Sequence, residues 1–274
     1  MRCPVTKARS QSQHKGNSSG LNFPNCLSQI VELRMYNYIW IGIVVLFGGF
    51  VKGLSGFGTM LVIIPMLMVC IDIKTVVPLI YLLEFVGTVL LLIQLLKSLN
   101  WKEVYPLLVG FVPGVVIGVF CLKTLDMNIL RLILGIILIA YSVYGLFFEI
   151  SNIRIWKGWA YLVGFLAGGL GGTIGANGPP VIVYTSAQQW SNDKIRVTLQ
   201  GFFSLACPIT IIIQAYNGLI TTAVVKYFAF SLLIFLLGIY TGSRFYGTLR
   251  NVTYKRVIFV MLAFLGFFTI YRTF

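Results

Sequence analysis

Ten apolar stretches follow one another with only short polar punctuation, at about 38–53, 57–71, 75–96, 104–122, 128–148, 158–172, 176–187, 196–215, 221–243 and 255–273. Six of them hold 18 residues or more. At a rise of about 1.5 Å per residue, that is enough to cross a hydrocarbon layer about 30 Å thick. Composition agrees: 58% of the 274 residues are hydrophobic and 10% are charged, whereas a soluble domain carries about a quarter charged residues to cover its surface. In lipid every backbone N–H and C=O must find its partner inside the chain. The expected fold class is therefore all-α, a polytopic transmembrane helical bundle.

The net charge of +14 invites a nucleic-acid reading, but its distribution argues against one. Arg2, Lys7, Arg9, Lys15 and Arg34, with Glu32, precede Met35, and the other basic residues sit almost entirely in short loops. Loops of that kind answer to anionic lipid and to the positive-inside bias. The lone histidine, His14, lies in the polar N-terminal stretch, so the apolar body has no imidazole for a metal, a haem or a nucleophile's base. Seven acids leave no paired carboxylates, and no GxxxxGK[ST] loop binds ATP. The expectation is a protein that is not an enzyme, needs no cofactor or metal, and has the bilayer and a small solute as its partners. Cys3, Cys26, Cys70, Cys121 and Cys207 are scattered without a CxxC and read as packing residues or free thiols.

Residues 1–34, rich in Ser, Gln, Asn and Lys, are expected to form a disordered, polar, basic tail without a signal-peptide core. Met35 stands directly before the first apolar run, and a chain starting there would lose nothing structural. In the body, the four short segments form two pairs, 38–53 with 57–71 and 158–172 with 176–187, each joined by a glycine cluster. Sliding the chain on itself by 119 positions superposes Gly49 on Gly168, Gly53 on Gly172, Gly56 on Gly175, Val62 on Val181 and Ile63 on Ile182 without a gap. After each pair come a polar turn and three long segments. The order short, short, long, long, long therefore occurs twice, as an internal repeat would give. The expected organisation is a tail (1–34), a first repeat (35–150) and a second (151–274), each with a Gly-rich broken or re-entrant helix pair and three long helices.

The two glycine motifs, the paired short segments, Gly-Pro-Pro at 178–180 and Arg196 in the helix after the second motif together resemble the sulfite exporter TauE/SafE family of bacterial membrane transporters. The resemblance runs from about residue 38 to the C-terminus. It implies a multi-pass protein of the bacterial inner membrane that moves a small anion such as sulfite or sulfoacetate. Thr59 and Met60 stand where the family's first motif commonly continues with glycine, and Lys52 where a small residue is usual. Both departures bear on the substrate rather than the fold.

The residues also give a chemical reason for an anion. Each Gly in Gly53-Leu54-Ser55-Gly56-Phe57-Gly58 costs a helix interior about 0.5–1 kcal/mol. A helix opened there exposes free N–H groups and a partial positive charge at the start of the next half-helix. Pro179 and Pro180 mark the equivalent start in the second copy. Candidate binding residues are Lys52, Gly53, Ser55, Gly56, Gly58, Gly172, Gly175, Asn177, Gly178, Pro179 and Arg196. Glu84, near the middle of 75–96, is the candidate for coupling transport to a proton, or the counter-charge to Lys52, since ionisable residues within a span are functional candidates by default. The same glycines could instead serve close helix packing. Short, Gly-interrupted segments at matching positions in two halves point to a secondary transporter. Its rivals are a passive anion channel and a membrane accessory subunit.

If each short pair enters and leaves on one side, ten basic residues after Met35 fall on one face of the membrane and five on the other, leaving out Lys52. This puts both termini outside the cytoplasm by the positive-inside rule. A cytoplasm-dependent reporter fused after Phe274 is expected to stay inactive, and an active fusion would overturn this orientation.

Overall fold

A computed structural model describes residues 23–55, 59–93, 101–147, 156, 158–188, 190–245 and 251–271. Ten helices make up these segments: α1 Phe23–Ser55, α2 Thr59–Leu67, α3 Ile73–Ile93, α4 Trp101–Thr124, α5 Met127–Phe147, α6 Trp159–Ile174, α7 Gly178–Ala187, α8 Asn192–Tyr216, α9 Thr222–Arg244 and α10 Asn251–Tyr271. Five stretches, within α3, α4, α5, α8 and α9, are long and apolar enough to cross a membrane. The all-helical expectation holds, and nine of the ten segments fall within a few residues of the sequence-based limits.

The exception is the start of α1. Residues 1–22 lie outside the described residues, but the backbone is already helical from Phe23, twelve residues into the expected tail. Pro24 suits a helix's first turn, and no other proline or glycine intervenes before Gly42. Helix therefore propagates through a polar stretch whose composition alone suggested otherwise. The later starts carry ordinary caps. Asp72 Oδ1 accepts from Lys74 N–H at 2.9 Å, Ser191 Oγ from Lys194 N–H at 3.3 Å, and Thr221 Oγ1 from Val224 N–H at 3.4 Å.

Two parallel helix pairs dominate the packing. On α4, Gly110, Gly114 and Gly118 meet Gly164, Gly168 and Gly172 on α6, both at a spacing of four. A Cβ on any of the six would run into the facing backbone; at Gly172 it would lie 2.8 Å from the Val115 carbonyl oxygen. Gly49 and Gly53 of α1 meet Gly238 and Gly242 of α9 in the same manner, and a Cβ at Gly49 would lie 2.5 Å from the Phe235 oxygen. In terms of the two halves of the sequence, the fourth helix of each lies on the first helix of the other. The fifth helices, α5 and α10, pack antiparallel through Gly135, Gly266 and a hydrogen bond from Ser142 Oγ to the Phe259 carbonyl. The third helices, α3 and α8, meet between them.

Contacts at the helix ends fix the course of the short pairs. Lys194, at the start of α8, lies 3.7 Å from Glu103 at the start of α4. Since α6 runs parallel to α4 and α7 leads into α8, the pair α6–α7 enters the bundle and returns to the same end. Lys74, at the start of α3, donates to the carbonyl of Lys123 at the end of α4, at 2.9 Å. The pair α1–α2 therefore opens on the opposite end, with α2 held back against α1 by a hydrogen bond from Trp40 Nε1 to the Met66 oxygen at 3.1 Å.

The glycine contacts generate a contrast. Gly49→Ala must push α1 from α9 and is expected to cost about 1–3 kcal/mol. Gly42→Ala, whose Cβ would find Ile234 at an ordinary 3.5 Å, is expected to be close to neutral. Thermal unfolding of the two variants in detergent measures the difference.

Candidate functional site

The polar residues of α3 fall on one side of the helix. Tyr81, Glu84 and Thr88 stand at spacings of three and four and share a face. Lys52, three residues before the end of α1, extends onto that face. Its Nζ donates to Glu84 Oε1 and, at 2.9 Å, to Thr88 Oγ1. The lysine is wholly buried and the glutamate is 3% exposed. The space for the lysine stem comes from Gly87, where a Cβ would lie 2.9 Å from Lys52 Cε and equally close to Phe235 and Ile239 of α9. Glu84 Oε2 is buried and accepts no hydrogen bond. The structure thus joins two of the expected site residues as an ion pair with one carboxylate oxygen left over. It adds Thr88, which the sequence reading missed and which its position four residues after Glu84 could have flagged.

The second break is fully described. Gly175 ends α6 at φ 73°, a left-handed conformation that favours glycine, and its N–H donates to the Gly171 oxygen at 2.8 Å. Asn177 precedes α7 but its side chain caps nothing. It is 3% exposed and its Nδ2 has no hydrogen-bond partner. Gly178 opens α7 without crowding, since a Cβ added there would meet Ile182 Cδ1 at an ordinary 3.7 Å. Pro179 is buried in the first turn. The prolines that mark this start also remove N–H groups, so Pro179 and Pro180 contribute none of the first-turn donors. What remains is the backbone of Gly178 and Val181.

The other expected residues have different neighbours. Gly53 and Gly172 lie in the glycine contacts with α9 and α4, Gly53 with the Ser243 nitrogen 2.7 Å from a would-be Cβ. Ser55 closes α1, with its side chain outside the described residues, as are Gly56 and Gly58. Thr59, which begins α2, is wholly buried, and its hydroxyl has no partner. Arg196 is half-buried near the start of α8, two residues beyond Lys194 and one turn before the buried Gln200. The arginine's Nε is buried. Tyr81 is the residue that sequence reasoning missed most completely. Its hydroxyl reaches the second break, where a Cβ on Gly171 would lie 2.8 Å from both Tyr81 Oη and Asn177 Cβ. An apolar cavity of about 350 Å³, lined by Tyr141, Tyr144, Trp159, Pro179 and Tyr184 among others, lies outside this cluster, between α5, α6 and α7.

Comparison with known proteins finds a family and a relative that the chain is similar to. The family described as Sulfite exporter TauE/SafE matches residues 41–269. The "Probable sulfite/organosulfonate exporter TauE" of Cupriavidus necator is 26% identical over 176 residues, 62% of this chain and 68% of that protein. No solved structure matches.

Breaking a buried ion pair from one side leaves an uncompensated charge, at about 3–5 kcal/mol. Glu84→Gln is therefore expected to lower the unfolding temperature sharply. Adding Lys52→Met, which removes the stranded ammonium while keeping most of its volume, is expected to recover most of the loss.

Proposed function

From the premise that the chain belongs to the sulfite exporter TauE/SafE family, we propose that it is a secondary transporter of a small anion, sulfite or an organosulfur anion, in the bacterial plasma membrane. The observation that carries this reading is the buried Lys52–Glu84 pair beside the first break, with Glu84 Oε2 unpartnered. Ionisable groups inside a span are expensive, and those that persist mark ion and proton pathways. Here the lysine is neutralised by Glu84 and by nothing else ionised among the described contacts. A proton arriving at Glu84 Oε2 removes that counter-charge and leaves an ammonium held only by Thr88. An anion then becomes its natural partner. Proton and anion thus bind together at this point, which is the chemistry of coupled transport without ATP, and Glu84 is the coupling residue.

The binding region lies between the two short pairs, with Gly53, Ser55, Gly56 and Gly58 at the first break and Gly172, Gly175, Asn177, Gly178 and Pro179 at the second. Gly53 and Gly172 serve by letting backbones approach, while Arg196 attracts the anion at the mouth near the start of α8. The opposed openings of the pairs suit inverted copies, and so does the exchange of helices between halves. Because α1 is locked to α9 and α4 to α6 through glycine contacts, the units that move are these locked pairs with their short helices, α1–α2–α9 against α4–α6–α7. The end of the bundle with the starts of α4 and α8 carries the larger basic share and faces the cytoplasm.

Flux of sulfite, sulfate, sulfonates and small carboxylates into liposomes holding the purified protein tests this reading. Saturable uptake of a sulfur oxoanion, accelerated by a proton gradient and losing that acceleration in Glu84→Gln, is the expected result. Flux indifferent to the gradient, with no concentrative phase, identifies a passive channel instead.

A further inference from the structure

Lys52 accounts for one side of an anion site, yet the most exacting hydrogen-bonding environment lies at the other break. Tyr81 is the largest wholly buried side chain among the described residues, and its hydroxyl has no hydrogen-bond partner. Thr210 of α8 stands beside it, its own hydrogen given to the Ala206 carbonyl at 2.9 Å, and its oxygen lies outside hydrogen-bond geometry with the phenol. A hydroxyl left unpaired in such surroundings is destabilising. The same holds for the Asn177 amide, which sits where a helix cap belongs and does not cap. Tyr81 comes from α3 and Asn177 precedes α7, and the phenol oxygen and the Asn177 Cβ lie equally close to where a Cβ on Gly171 would stand, at 2.8 Å. The start of α7 supplies two further donors at Gly178 and Val181, and the prolines between them supply none. On its own, a helix start so depleted would hold an anion weakly.

The 119-residue shift gives this point a second meaning. It sets Lys52 on Gly171, so the place that holds an ammonium in one half holds, in the other, a glycine flanked by a phenol and an amide. Tyr81 and Glu84 are neighbours on one face of α3, and the helix thereby presents its acid to the first break and its phenol to the second.

We infer that Tyr81 Oη and Asn177 Nδ2, with the N–H groups of Gly178 and Val181, form an uncharged donor subsite for the oxygens of a tetrahedral or pyramidal sulfur oxoanion. This rests on the transport reading above and adds to it the residues that hold the ligand. Neutral donors suit a transported anion, because they recognise oxygen acceptors without the strong Coulombic hold that would slow release. They also select by acceptor number. A sulfonate or sulfite offers three oxygens to donors arriving from α3 and from α7, whereas chloride offers no directed lone pairs. In the present conformation the two side chains approach Gly171 too closely for even a methyl group. Ligand entry therefore moves α6–α7 away from α3, and the unsatisfied donors make that movement favourable once oxygens are there to meet them.

The test is thermal unfolding of the full-length protein in detergent, titrated with sodium sulfite and, separately, sodium methanesulfonate, against sodium chloride at matched ionic strength. Wild type is expected to be stabilised in a saturable manner by the sulfur oxoanions and not by chloride. Tyr81→Phe and Asn177→Ala are each expected to raise the half-saturating concentration about tenfold. Ser231→Ala, which removes another buried hydroxyl without a partner, is expected to leave it unchanged. Tyr81→Phe removes one oxygen and no packing, so it carries the test if Asn177→Ala fails to fold. Wild-type midpoints in the foldable variants overturn the subsite while leaving the transport reading standing. A wild-type protein stabilised by neither anion overturns both.

Discussion

Everything in this bundle depends on how closely two pairs of helices can approach. Lipid tails are as apolar as leucine, so helices in a bilayer gain little by hiding apolar faces from them. Association rests on dispersion between well-fitted surfaces, and the fit improves as the backbones come together. The contacts of α4 with α6 and of α1 with α9 bring carbonyl oxygens of one helix to where the Cβ atoms of the other would be. These parallel pairs form two stiff walls. The third helices, α3 and α8, lie between them, and the polar groups of the interior line up along that meeting.

A buried ammonium needs such walls. Lys52 is carried by one locked helix and received by a slot at Gly87, bordered by Phe235 and Ile239 of the partner helix. The glycine that locks the pair, Gly53, and the lysine that leaves it are adjacent in sequence. Backbone fit and charge placement are therefore set by neighbouring residues. The pair is also asymmetric between the halves. The 119-residue shift places Gly171 opposite Lys52 and Phe203 opposite Glu84, so whatever symmetry the backbone has, its electrostatics belong to one side.

Much of this could be read from the sequence where the signal is local. The limits of α6 and α7 follow from the glycines at 171–175 and the prolines at 179–180, and the segment lengths delimit the remaining helices. Lys52 and Glu84 stand out because ionisable residues are rare in apolar runs, and naming them as counter-charges needs no coordinates. The misses are of two kinds. Helix over residues 23–34 was hidden because a polar composition says little about backbone when no breaker interrupts it. Tyr81 and Thr88 were hidden because a phenol or a hydroxyl in an apolar helix is unexceptional until the opposing surface is known. For the same reason Gly238 and Gly242 looked like ordinary small residues. Their partners, Gly49 and Gly53, lie 189 residues away in the chain, and no local pattern connects them.

That last separation has a consequence for how the protein is made. A chain inserted from its N-terminus releases α1 into lipid long before α9 exists, so the groove cut by Gly49 and Gly53 must wait against acyl chains while the seven helices α2 to α8 are made. The half that is synthesised first cannot complete its own wall, because the helix it needs is encoded near the end. Assembly is thus deferred rather than stepwise: the early helices form a loose raft, and the late arrival of α9 closes it. A ribosome that stalls after α8 would leave in the bilayer a lysine and a glutamate with only part of their enclosure, a species the cell's membrane proteases are well suited to recognise.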